Sequence, residues 1–256
     1  MNFIDRAKIL IQAKIHEKET KDSFALSRAQ SIAKWAAIAN VSPYVGSYQM
    51  RPDYPSFLDK YKHNIETTNS GTDTIAFGDS LLDFTRDQLT AVKEKFNFAV
   101  AGFGSPNMLQ MAIDLDIVLG DNMIKNQVKY VILGCLAGNP LLSHQDLEFA
   151  KTEARNAFIK IRSLYPEAKF IVYGLPPVYD VYVNLCAPQF EAYMADLIVK
   201  DGNATYLILQ KKFAGMFGIF PKIDYSKDTV HFNGNGIIRF DKLLNEGKTT
   251  TQKVLL

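Results

Sequence analysis

From residue 73 onward, short apolar runs alternate with longer stretches whose apolar residues recur at helical spacing. Residues 74–77, 97–101, 130–136, 169–173 and 204–209 read as five strands. Between and after them, residues 82–95, 106–125, 144–164, 189–199 and 235–245 read as helices. The strands are apolar on both faces, as in a sheet covered on both sides. Strand–helix alternation implies parallel strands joined by right-handed crossovers. The pattern therefore predicts an α/β fold: a three-layer α/β/α sandwich around a central, mainly parallel five-stranded sheet.

Residues 1–72 follow another pattern. Phe3, Ile4, Ala7, Leu10, Ile11 and Ile15 share one helical face, and residues 27–38 repeat Ala and Ile at the same spacing. Ser42-Pro43 ends helical structure, and residues 43–72 are rich in Tyr, Pro, Asn, Thr and Gly. A helical extension with an irregular connection, bracing a main domain of residues 73–256, is expected.

In an open parallel sheet, ligand chemistry gathers at the carboxyl ends of the strands. The first strand runs into Phe77-Gly78-Asp79-Ser80 and then a helix. A Ser on such a turn can present its hydroxyl to a cleft, with its backbone N–H near a helix start where negative charge is stabilised. Taken alone it is also an ordinary helix N-cap. Serine needs a base. His16 and His63 lie in polar or irregular surroundings; His144 follows the third strand and could line the cleft. His231 stands in Asp228-Thr229-Val230-His231, where the carboxylate one turn upstream can orient the imidazole. Donors for a developing oxyanion are available at Gly102 or Gly104 after the second strand, and at Asn139 after the third. The segment Pro176 to Tyr182 either lines the cleft with aromatic surface or packs as a loop.

Composition narrows the alternatives. A net charge of +2, with cations scattered along the chain, argues against a nucleic-acid groove. Two cysteines, Cys135 and Cys186, fit reduced structural thiols. Charged residues interrupt the N-terminal apolar positions, so neither a secretory signal nor a membrane span is expected, and the expectation is a cytoplasmic protein. Gly-x-Ser-x-Gly, Walker A, dinucleotide and zinc motifs do not occur, so neither a cofactor nor a metal is expected.

In these blocks the chain resembles the SGNH hydrolase superfamily, the GDSL esterases and lipases, from residue 73 to about residue 245. Phe77-Gly78-Asp79-Ser80 matches the first block, and Asn97 through Gly102 the second, which favours Gly102 over Gly104. In the third, Ala137-Gly138-Asn139-Pro140 keeps the Asn but lacks the usual first Gly and last Asp. Asp228 and His231 match the fourth. The resemblance implies a divergent member with a flavodoxin-like sheet. It implies a Ser80, His231, Asp228 triad and an oxyanion hole from Ser80, Gly102 and Asn139. The implied activity is a serine esterase acting on a small-molecule or carbohydrate ester through an acyl-enzyme. The run Gly102-Phe103-Gly104-Ser105 is similar to SGNH domains that move acetyl groups on polysaccharides, so O-acyl transfer to a carbohydrate hydroxyl is the alternative. A non-catalytic binding domain of the same fold is the reading from another class.

Overall fold

The computed structural model describes residues 72–78, 80–85, 88–89, 97–102, 128–134, 136, 138–142, 144–215, 221–227 and 230–255. The N-terminal extension, but for Thr72, and the expected helix at 106–125 lie outside the described residues.

The described elements, in order, are β1 (Thr72–Gly78), α1 (Ser80–Thr85), β2 (Asn97–Gly102), β3 (Tyr130–Gly134), α2 (Gly138–Leu142) and α3 (Leu147–Leu164). Then come β4 (Lys169–Tyr173), α4 (Val181–Asp201), β5 (Ala204–Leu207), α5 (Leu209–Phe213), α6 (Gly234–Thr249) and β6 (Val254–Leu255). All pairings are parallel, and the strand order is β2-β1-β3-β4-β5-β6. This is the flavodoxin-like order, whose switch point lies between β1 and β3. The expected sheet had five strands. The sixth, Val254–Leu255, is two residues long and pairs with Tyr206 and Leu207, too short for periodicity to register.

Consecutive residues of β4 show the three layers. Phe170 meets Phe158 of α3 edge-on at 5.8 Å. On the other face, Tyr173 meets Phe240 of α6 edge-on at 5.0 Å, and Ile171 lies against Gly247. Strand alternation sends neighbours to opposite faces, so α3 and α6 cover the sheet from opposite sides. On α3, buried Ala150, Ala154, Ala157, Phe158 and Ile161 form the inward stripe, and Asp146 caps its start by accepting the Glu148 and Phe149 N–H groups.

Helix α4 begins at Val181 instead of residue 189. A proline reads as a helix start, but Pro188 lies inside α4. Burial of Val183, Ala187, Phe190, Met194 and Ile198 along one stripe, with Asp180 as N-cap and left-handed Gly202 at the far end, carries the helix through it. α4 also holds the loop that leaves β4. Asn184 Oδ1 accepts the Val178 N–H at 3.2 Å and its Nδ2 donates to the Val178 carbonyl at 2.5 Å. Gln210 of α5 donates to the Pro176 carbonyl at 3.2 Å. Glu191 Oε1 accepts the Leu175 N–H at 2.7 Å.

Glu191 is a buried carboxyl, and desolvation pushes its pKa up from 4.5 to about 8, against the smaller opposing pull of the Tyr206 hydroxyl and the Leu175 N–H. The folded chain therefore keeps a proton that the unfolded chain releases above about pH 4.5. Stability is fully present below that pH and is lost as pH rises through about 8. Denaturant unfolding between pH 5 and pH 9 is expected to show this decline. Glu191→Gln, which keeps the shape and the Leu175 bond, is expected to flatten it; an unchanged slope contradicts the assignment.

Candidate functional site

The register aligns the carboxyl ends of the central strands. Gly78 of β1 stands beside Gly102 of β2, Phe77 beside Leu133 of β3, and Gly134 of β3 beside Tyr173 of β4. Three neighbouring strands thus end in glycine, and Tyr173 uses the space. Its ring lies against Gly134, where an added Cβ would fall among the ring carbons, and its hydroxyl would stand 2.6 Å from a Cβ at Gly78. Tyr173 is almost fully buried and floors the edge from which the β1–α1 turn departs.

Ser80 is the first residue of α1. The following Leu81 and Leu82 are fully buried, which anchors the start of α1 in the core, and Thr85 donates to the Leu81 carbonyl at 2.8 Å within the helix. Gly102 closes β2 one strand away. Asn139 is the second residue of α2, which leaves β3 on the other side of β1; the sequence suggested a loop there, but Pro140 and Leu141 are buried and the segment turns as a short helix. Pro140 sits in its first turn, where a missing N–H costs nothing.

His231 comes from the far end of the chain. The C-terminal end of α6 lies at the amino edge of the sheet: Lys169, which opens β4, donates to the Lys248 and Thr250 carbonyls at 3.0 and 2.6 Å, and Lys248 donates to Thr74 of β1 at 3.0 Å. The start of α6 therefore lies at the carboxyl edge, with His231 just before it. His231 sits in a turn closed by a bridge between Ser226 and Phe232 and by the Lys227 N–H donating to its carbonyl at 2.9 Å. Phe232 stacks on Phe213 at 4.3 Å, and Asn233 caps α6 through the Gly236 N–H at 3.0 Å. His231 is half-buried. Asp228 and Gly104 lie outside the described residues, as does Cys135, while Cys186 is a buried free thiol in α4.

Ser80, Gly102, Asn139 and His231 thus all belong to one edge of the sheet by their backbone positions. Sequence reasoning missed two features of that edge. One is Tyr173. The other is a hydrogen-bond contact between His144 and Asp180, with Nε2 and Oδ2 2.9 Å apart. Their separation of 36 residues gave no spacing signal. Among the described residues, no group of three or more His, Cys, Asp or Glu is arranged to hold a metal, and no helix is long and apolar enough to cross a membrane.

No protein-family description matches the chain, and no curated protein matches it by sequence. Solved structures do match. A protein of Streptococcus pneumoniae, provisionally named for platelet activating factor, superposes with a TM-score of 0.65 at 14% identity, over 87% of this chain and 99% of that one. A GDSL-like lipase of Bacteroides thetaiotaomicron gives 0.53 at 12% identity, over 75% of this chain and 98% of that one. The periplasmic domain of a lipopolysaccharide acetyltransferase of Salmonella ser. Paratyphi A gives 0.50 at 15% identity, over 76% and 94%.

The fit of Tyr173 to the glycine edge makes a quantitative expectation. Gly134→Ala is expected to lower stability by about 3 kcal/mol through overpacking, measured by denaturant unfolding. In a Tyr173→Leu background the same change is expected to cost far less; equal costs in both backgrounds contradict the contact. The described residues carry the α/β/α fold that these solved structures share, the fold expected from the resemblance to the SGNH, or GDSL, hydrolases.

Proposed function

We propose that the protein is a serine esterase. Ser80 Oγ attacks an ester carbonyl as His231 takes its proton, and Asp228 holds the imidazole in the tautomer that can do so. The backbone N–H groups of Ser80 and Gly102 and the side-chain amide of Asn139 stabilise the tetrahedral oxyanion. Collapse expels the alcohol, which His231 protonates, and leaves an acyl-enzyme. Water deprotonated by His231 then releases the acid. The observation that carries this reading is the register of Gly78 with Gly102, which sets the outgoing ends of β1 and β2 side by side, next to the α2 that follows β3.

If a sugar hydroxyl takes the acyl group in place of water, the same steps give acyl transfer, the activity named for the Salmonella neighbour. Partition of the acyl group between water and added sugar acceptors separates the two. A non-catalytic binding domain is the remaining reading, and it predicts no covalent chemistry at Ser80.

A fluorophosphonate probe is expected to label the wild type and not Ser80→Ala. On a panel of esters of varied acyl length, Ser80→Ala is expected to lower kcat by about ten-thousand-fold or more. Asn139→Ala is expected to lower it by about a hundredfold with little change in KM. Equal labelling of wild type and Ser80→Ala, or full activity of that variant, refutes the mechanism.

A further inference from the structure

His144 has φ of +53°, the only non-glycine residue in the left-handed region among the described residues. Such a conformation is uncommon for a residue with a Cβ and persists only where its surroundings hold it. Here they do. Its N–H donates to the Leu141 carbonyl at 2.9 Å, and the next residue's N–H donates to the Pro140 carbonyl at 3.0 Å. Nε2 lies 2.9 Å from Asp180 Oδ2. The ring leans on Tyr182 at 5.0 Å between centroids, and the Tyr182 hydroxyl donates to the Gln145 carbonyl at 2.7 Å.

Asp180 is itself fixed, because its Oδ1 accepts the Val183 N–H at 3.1 Å as the cap of α4. The loop before it is tied down at Leu175, Pro176 and Val178. Asp180 is thus a nearly buried acceptor on a rigid loop, with a side-chain exposure of 11%, and His144 is half exposed at 49%. Both follow strands that end at the same edge as β1: His144 comes after β3 and α2, and Asp180 after β4.

A carboxylate can only accept, so Nε2 carries the ring proton and donates it to Asp180. In the neutral ring that leaves Nδ1 as a bare acceptor, and among the described residues it has no partner. A fixed acceptor on a half-exposed ring can take a hydrogen bond from a donor such as a hydroxyl group.

We infer that His144, held in one tautomer by Asp180, accepts a hydrogen bond from a free hydroxyl on the alcohol half of the ester, and so selects hydroxyl-bearing alcohols over plain alkyl ones. This rests on the esterase reading of Ser80. His144 is then a specificity-determining residue and Asp180 a positioning residue.

The test uses monoacetates of linear polyols, each paired with the analogue whose free hydroxyl is replaced by hydrogen and with the one whose hydroxyl is capped as its methyl ether, which keeps the oxygen and removes the donor. In the full chain, kcat/KM is expected to favour the hydroxylated partner by about tenfold at the best chain length, the worth of one good hydrogen bond. Asp180→Asn keeps the helix cap through its oxygen and donates from its amide to Nε2, which forces the proton onto Nδ1. The loop stays tied and the thermal midpoint stays near that of the wild type, yet the acceptor is gone. The preference over the deoxy analogue then remains, but the preference over the methyl ether is expected to fall to about one, because an Nδ1–H donates to either oxygen. His144→Asn, which tolerates the left-handed backbone, is expected to lose it as well. A purely structural pair leaves the preference untouched in Asp180→Asn, and that result, or a wild type without preference, overturns the inference. Nitrogen-15 spectra of the His144 ring keep the question separate from catalysis. They are expected to show the Nε2–H tautomer in the wild type, the Nδ1–H tautomer in Asp180→Asn, and a shift of the wild-type Nδ1 signal on adding the free polyol. If no ester is cleaved, the esterase reading fails. The polyol shift then decides the inference by itself: its presence supports hydroxyl recognition and its absence overturns it.

Discussion

Parallel pairing of β1 with both β2 and β3 is the constraint from which the rest of the molecule follows. It puts β1 at the switch point, where the chain has gone first to one side and then to the other. The carboxyl ends of β1, β2 and β3 then stand side by side at one edge of the sheet. A one-residue slip would exchange the faces of Ile75, Ala76 and Phe77 and part Tyr173 from the space that Gly134 leaves, so side-chain size fixes the register. That register, in turn, lines up Gly78 with Gly102 and Gly134 with Tyr173.

Packing and buried polar groups hold that edge in place. Apolar packing supplies part of this: Tyr173 fills the glycine edge from below, and the stacked Phe213 and Phe232, with Phe240 beside them, seat the turn of His231. Buried polar groups supply the rest. Glu191, Asn184 and Gln210 satisfy the backbone of the β4–α4 loop, which a cover of apolar residues would leave unpaired. Keeping Glu191 uncharged at neutral pH makes that tie compatible with its burial. The same rigid loop delivers Asp180 to His144. Stability and selectivity are thus coupled through one stretch of chain.

Much of this was legible in the sequence. Apolar runs located β4 at its observed bounds and the other four long strands to within a few residues. The strand-end position of Ser80 followed from the same pattern. What escaped did so for physical reasons. Pro188 masked the first two turns of α4, although the apolar stripe ran through it. The two-residue β6 is held by pairing, not by its own pattern. α2 is too short to show a period. The Tyr173 floor and the His144–Asp180 contact are products of the register and of loop closure between distant residues, and no local signal announces them. The family resemblance carried Gly102 and Asn139, whose residue types alone are common in turns.

The proposed esterase mechanism requires a covalent bond between Ser80 and the acyl group. Rapid mixing with an activated acetate ester, an acid quench and mass analysis of the proteolysed chain measure that bond directly. One added acetyl group is expected, on the peptide that contains Ser80, forming within the first turnover and decaying as ester is exhausted. An acetyl group on another residue, or turnover of the ester with no adduct at Ser80 at any time, would contradict it.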